Sequence, residues 1–244
     1  MRTEELIKEI SALSGNNDKF EEFKKGLPLG IDAGGNILLA QKYENPLTIR
    51  NTCVTGARKT NFIRRFLITI SCLYDKEEAC FFVISPRTEY GDLLRLHSLD
   101  ITTPYIRTKE DVAQAVETLK ELVRMRAFGK GYPRLFLVLD GLDEIEGNNI
   151  NGDLAEYREI FDIIMRKPDI DVICGADLTR TIFSGYPGAF LGVGNCLITT
   201  REEGKADVTY VNEDSGMTLP SPISYPSEPS LTESIIFLNA LPNE

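Results

Sequence analysis

The chain has 244 residues, with 27 Lys and Arg against 37 Asp and Glu and a net charge of -10 at pH 7, so its surface as a whole repels a polyanion and nucleic acid would need a local basic patch. Its length suits a single large α/β domain, or a domain with appendages, burying about 70–75% of the unfolded surface. Apolar runs such as Phe66–Ile70 are too short to span a bilayer, which argues against membrane insertion.

In chain order, residues 3–13 place Leu6, Ile7, Ile10 and Leu13 on one helical face, closed by Gly15-Asn16-Asn17 and followed by a turn bearing Phe20 and Phe23. The Glu-rich N-terminus does not read as a signal peptide. Two short apolar strands, Leu27–Asp32 and Asn36–Ala40, flank Ala33-Gly34-Gly35, the turn chemistry of a hairpin. Beyond Pro46 an apolar strand enters a turn, a Lys-Thr pair and a helix that runs from Phe62 to Tyr74, with Arg64 and Arg65 on its outer side. The continuous run Cys80–Ser85 suits a parallel sheet covered on both faces, and Pro86-Arg87 ends it.

Thr108 and Asp111 form a capping-box-like start for a long helix, in which Val112, Ala115, Val116, Leu119, Leu122 and Val123 recur at helical spacing. Arg124 and Arg126 near its end suit the negative pole of the helix dipole, with a DNA patch as the alternative. Leu135–Asp140 is a buried strand ending in an acid, Asp153–Lys167 a helix, and Ile170–Cys174, Cys196–Thr199 and Val208–Val211 are further strands. Residues 214–229, with four prolines among serines, predict an extended segment running over the surface, excluded from regular helix or central strand. Ile235, Ile236, Leu238 and Leu241 make a short terminal amphipathic element. Five cysteines without C-x-x-C spacing read as reduced core thiols, and the single His97 leaves little for a metal cluster or serine-type triad. The expected compartment is the cytoplasm.

The central stretch nearly spells a phosphate loop. The signature G-x-x-x-x-G-K-[ST] uses glycines to wrap backbone N–H groups around phosphates, a Lys to neutralise them and a hydroxyl for Mg²⁺. Here it reads Cys53-Val54-Thr55-Gly56-Ala57-Arg58-Lys59-Thr60, so Cys53 and Arg58 stand at the two signature glycines. Thr55, Gly56, Ala57, Arg58, Lys59, Thr60 and Asn61 are the candidate nucleotide-binding residues. Arg58 either pushes the loop off its path, projects outward, or lays its guanidinium on a phosphate. Thr60 and Asp140 are the candidate Mg²⁺ ligands, Asp140 lying at a strand's carboxyl edge where nucleotide crevices form. Gly141 follows where a catalytic Glu is usual, which leaves Glu144, with Asp140, as the candidate catalytic pair.

The succession Pro28-Leu-Gly-Ile-Asp32, phosphate loop, CFFVISPR, an Arg-ended helix, LFLVLD and IDVICGADLTR resembles the motor domain of the FtsK/SpoIIIE family of ring-forming DNA translocases and the related ATPase domains of type VII secretion motors. The resemblance spans roughly Leu27 to Val211. It implies a RecA-like P-loop NTPase fold, a mostly parallel sheet covered by helices on both faces, with a helical lead-in at 1–26, the NTPase domain at 27–213 and a tail at 214–244. The departures fall at the site: the family's Asp-Pro-Lys becomes Ser85-Pro86-Arg87, its catalytic Glu aligns with Gly141, and its Ala-Thr-Gln aligns with Ala176-Asp177-Leu178. The implied function is a degenerate module, binding ATP and Mg²⁺ weakly or not at all, in a homo- or hetero-oligomeric ring that handles DNA or a secretion-system protein. An active DNA translocase is the alternative, its track built from Arg58, Arg64, Arg65, Arg87 and Arg180. LVLDGLDEI is also similar to the acid motif of NACHT-type signalling NTPases, which would give Glu144 the catalytic role.

Overall fold

The computed structural model describes residues 17–41, 50–74, 77–95, 100–102, 106–128, 132–141, 159–160, 162–164, 170–175, 196–212 and 216–225. The expected helix at 3–13, the start of the helix at Asp153, the segment 176–180, His97 and the terminal amphipathic element lie outside them. In chain order come α1 (Asn17–Gly26), β1 (Pro28–Asp32), β2 (Ile37–Leu39), β3 (Arg50–Gly56), α2 (Lys59–Ser71), β4 (Ala79–Ile84), a 3-10 segment at Thr88–Arg95, β5 (Asp100–Thr102), α3 (Lys109–Phe128), β6 (Arg134–Asp140), β7 (Ile170–Gly175), β8 (Cys196–Glu202), β9 (Lys205–Asn212), β10 (Gly216–Met217) and β11 (Ser221–Ser224).

These strands join one sheet in the order β2-β1-β11-β9-β8-β3-β7-β6-β4-β5, with β10 paired to β9. From β8 to β5 all neighbours run parallel, while β9, β11, β1 and β2 form an antiparallel wing. The strand that feeds the Lys-Thr turn is therefore separated from the acid-ended strand by β7. This is the mostly parallel sheet expected, with β1 and β2 forming the expected hairpin.

The runs CFFVI and LFLVL are apolar at every position because both of their faces are covered. Phe81, Val83, Phe136 and Val138 pack with Phe62, Ile63, Phe66 and Ile70 of α2 on one face. Phe82, Ile84, Leu135, Leu137 and Leu139 pack with Val112, Ala115, Val116 and Leu119 of α3 on the other. Thr108 and Asp111 do form the reciprocal cap of α3: the Asp111 amide donates to Thr108 Oγ1 at 3.2 Å and the Thr108 amide to Asp111 Oδ2 at 2.9 Å. The Arg107 amide, which donates to the same oxygen at 2.8 Å, and then the Thr108 amide hold the Asp111 carboxyl below its ordinary pKa.

Two expectations are corrected. The Pro/Ser-rich segment is not excluded from the interior of the sheet: β11 sits between β1 and β9, and Ile223 and Tyr225 are buried, while Met217, Leu219 and Pro222 are exposed. Proline is tolerated there because Pro222 pairs with Asp207 of β9, whereas the β1 ladder starts only at Ile223, so the Pro222 nitrogen, which has no hydrogen to donate, faces no β1 partner. Arg65 is likewise not on an outer side. It is buried, with its guanidinium 5.7 Å over the Tyr225 ring, because the returning chain covers that flank of α2.

At the amino edge of the parallel strands a buried ion pair ties five segments together. Arg134 at the start of β6 donates from Nε and an Nη to Asp171 of β7 at 2.6 and 2.8 Å, and from its other Nη to the Lys24 carbonyl at 2.9 Å and Tyr74 Oη at 2.6 Å. Gln41 Nε2 donates to Asp171 Oδ1 at 2.7 Å. Asp171 is 2% exposed, so removing the guanidinium would strand a buried charge. Arg134→Ala is expected to cost about 3–5 kcal/mol, read as a lowered urea midpoint with the slope unchanged.

Among the described residues the cysteines are all free thiols. Burial pushes Cys53 and Cys72 up to about 12 and raises Cys174 and Cys196 as well. An acid whose folded pKa is raised ionises first in the unfolded chain, so the unfolded state holds fewer protons and stability falls as pH rises. The urea midpoint is expected to decline once pH passes about 8.5, where unfolded cysteine ionises.

Candidate functional site: a narrowed phosphate loop and a buried carboxylate

Parallel pairing aligns the carboxyl ends of β3, β6, β7 and β8 on one edge: Val54 opposite Gly175, Asp140 opposite Gly175, and Gly56 opposite Thr200. Helix α2 starts at that edge, so the first-turn side chain of Thr60 reaches over β7 towards β6. Thr60 Oγ1 donates to Asp140 Oδ2 at 2.7 Å, across 80 residues of sequence. The two candidate Mg²⁺ ligands are brought together.

The loop between them is short. β3 stays paired to β8 as far as Gly56, so only Ala57 and Arg58 separate the strand from α2. Cys53, which stands at the first signature glycine, lies buried inside β3 opposite Cys174 and Leu197, not in the turn. Gly56 has φ +99, and a Cβ there would lie 2.2 Å from the Thr200 carbonyl oxygen. Thr200 Oγ1 donates to the Thr55 carbonyl at 2.8 Å and accepts the Arg58 amide at 3.4 Å. An amide that a phosphate loop turns towards phosphate is thus met by a hydroxyl of the chain itself.

Arg58 projects outward. Its φ is -126, an angle open to any residue, and its guanidinium lies 3.8 Å from Glu203 in the β8–β9 turn. Arg65 approaches the same carboxylate at 3.8 Å. Lys59 is partly exposed and has no ion-pair partner among the described residues. Thr55 and Asn61 are partly exposed, Ala57 is exposed, and Glu144 lies outside the described residues. Of the arginines proposed as a DNA track, Arg58 and Arg65 face Glu203 and Arg87 faces Asp140, while Arg180 lies outside the described residues. Arg124 is held by Glu121 through two bonds of 2.7 and 2.9 Å.

Asp140 is 0% exposed. Besides Thr60, its Oδ2 accepts the Tyr90 hydroxyl at 2.9 Å and lies 3.6 Å from Arg87 Nε. Burial, then the neighbouring carboxylate, push the Tyr90 phenol well above its ordinary pKa, so it stays a donor. Oδ1 lies against Gly175 and has no hydrogen-bond partner among the described residues. A threonine hydroxyl beside a carboxylate is the donor set of a hard cation. As it stands the arrangement does not fit one, because the Arg87 guanidinium faces Oδ2 at 3.6 Å and supplies the countercharge that a metal would bring.

Sequence reasoning missed Tyr90, Thr200 and Glu203. None lies in the phosphate-loop or acid motif, and only the pairing of β8 with β3 and the 3-10 turn after Arg87 bring them in.

The site and sheet define a phosphate-loop α/β domain with an acid-ended strand one removed from the loop strand. The fold is that of the ATPase domains of type VII secretion motors, as the sequence resemblance implied. The chain is similar to the cytoplasmic domain of the Thermomonospora curvata type VII secretion ATPase EccC, with a TM-score of 0.61 and 14% identity over 84% of this chain and 26% of that one. It is similar to ATPases 2 and 3 of the same EccC in complex with a signal sequence peptide (TM-score 0.59, 15% identity, 84% of this chain, 41% of that one). It also matches ATPases 2 and 3 of EssC from Geobacillus thermodenitrificans (TM-score 0.56, 12% identity, 88% and 49%). The chain thus spans between a quarter and a half of these proteins. No family model and no curated protein matches the sequence.

Gly56→Ala is expected to destabilise the chain by about 1–3 kcal/mol, the cost of holding a side chain in sparsely populated backbone space, or more if β8 cannot yield. Thr200→Ser, which keeps the hydroxyl, should be nearly neutral. Denaturant unfolding of both variants reads the difference.

Proposed function

We propose that this chain is a degenerate phosphate-loop module of a secretion motor, binding ATP weakly or not at all, hydrolysing little, and serving as a structural or regulatory member of an oligomeric ring whose partner is a secretion-system protein. The observation that carries this reading is the narrowed loop: pairing of β3 with β8 through Gly56 leaves two residues to wrap phosphates, and the Thr200 hydroxyl meets the Arg58 amide. Gly141 adds no carboxylate beside Asp140 to polarise a water. The retained Thr60–Asp140 bond, and a Lys59 without an ion-pair partner among the described residues, support descent of the site from a nucleotide-binding one. The type VII ATPases of similar fold support the secretion assignment, and that kind of motor makes a ring and a protein partner the natural context.

An active DNA translocase is less well supported, since Arg58, Arg65, Arg87 and Arg124 each face an acid and the net charge is -10. The NACHT-type reading depends on Glu144, which lies outside the described residues.

Steady-state phosphate release, with and without DNA, tests the reading. It is expected to stay at background, and ATP is expected to raise the melting temperature far less than the equivalent of about 2.7 kcal/mol that a ligand at a hundred times its Kd provides. Turnover that Lys59→Ala abolishes would establish a working ATPase instead.

A further inference from the structure

Asp140 is a fully buried carboxylate at the point where a magnesium-dependent phosphate site carries its metal, and such a charge is tolerated only when a cation and hydrogen bonds answer it. In this chain the answering charge comes from the strand next door. Arg87 lies three residues beyond β4, whose pairing with β6 runs up to Ile84 opposite Leu139, so Ser85 stands one step beyond the ladder, level with Asp140, and the Arg87 side chain comes back to that carboxylate from the strand's exit. The Ser85 hydroxyl accepts the Arg87 amide at 3.1 Å and shapes that exit. From there Arg87 Nε lies 3.6 Å from Asp140 Oδ2, and the side chain is only 25% exposed.

Gly141 is what lets it lie there. The residue after Asp140 has φ +68, and a Cβ at that position would stand 2.9 Å from Arg87 Nε and 3.5 Å from its Cγ. Any other residue at 141 would be strained in its backbone and would press on the arginine. The missing carboxylate at 141 and the arginine at 87 are thus two halves of one arrangement: the space where a side chain would begin is filled by the guanidinium arm.

We propose that Arg87 is the resident counter-cation of the Thr60–Asp140 pair, occupying the electrostatic role of a divalent metal, with Gly141 as the residue that admits it, so that this site does not take up Mg²⁺. The proposal deepens the reading of the site as a disabled phosphate loop and rests on it for the identity of the displaced ion. Its consequence is that replacing Gly141 with Glu does not by itself rebuild a metal-dependent hydrolase, because the new side chain meets Arg87.

The test is the melting temperature of the full chain in Mg²⁺ against chelator, with no nucleotide present, so that failure to bind nucleotide bears on the proposed function and not on this result. Wild type is expected to melt at the same temperature in both. Arg87→Gln should melt lower, because it leaves Asp140 buried without its cation, and Mg²⁺ should recover part of the loss. The recovery should vanish in Arg87→Gln/Asp140→Asn, which removes both charges and should melt higher than Arg87→Gln in chelator. Arg87→Lys, which keeps the charge, should remain indifferent to Mg²⁺ and provides the comparison if Arg87→Gln fails to fold. Stabilisation of wild type by Mg²⁺ that Asp140→Asn abolishes would overturn the proposal. So would an Arg87→Gln variant with unchanged melting or no response to Mg²⁺, or an Arg87→Lys variant that gains one.

Discussion

A carboxylate with no exposure to water is the constraint from which the site follows. Leaving such a charge unanswered costs several kcal/mol, so the groups around Asp140 are selected by that need: a hydroxyl from the first turn of α2, a phenol from the 3-10 turn and a guanidinium from the end of β4. Each comes from a different segment, and together they lock the start of α2 and the exit of β4 onto the end of β6. Functional geometry and structural geometry coincide there. The Thr60–Asp140 bond that a nucleotide site would use also sets the direction in which α2 leaves the sheet.

The opposite edge of the sheet repeats the logic without the functional overtones. Arg134 and Asp171 form a buried, bidentate pair whose remaining donors and acceptors are met by Gln41, Tyr74 and the Lys24 carbonyl. Arginine suits this place because its planar fork satisfies a carboxylate and still has donors for a carbonyl and a phenol. Between these ends β4 and β6 are apolar on both faces, so on those strands polar specificity is confined to the ends. One end fixes how the hairpin and α1 join the sheet, and the other fixes the loop.

The loop is narrowed by strand pairing, not by bulk at Arg58. Pairing carried on through Gly56 is favoured because β8 continues to offer hydrogen-bonding groups at Thr199 and Thr200, and the Thr200 side chain adds its own bond to the Thr55 carbonyl. Glu203, at the far side of the same hairpin, then draws Arg58 and Arg65 away from the crevice. The late hairpin thus shapes the site more than the signature residues do.

Local chemistry was sufficient to read the hairpin at Leu27–Ala40, the capped helix after Thr108, the buried parallel strands and the acid at the end of LFLVLD, because periodicity, turn residues and caps act over a few residues. The pairing of Thr60 with Asp140 was legible too, since the phosphate-loop and acid motifs encode it. Other features depended on contacts 50 or more residues apart in sequence: the place of β11 inside the sheet despite Pro222, the burial of Arg65 under Tyr225, the Thr200 hydroxyl on the loop, and Tyr90 on Asp140. No window of sequence carries a signal for such partners. Arg87 and Gly141 show the division most plainly: each reads alone as a departure from a motif, and only folding, which puts β4 beside β6, reveals that one makes room for the other.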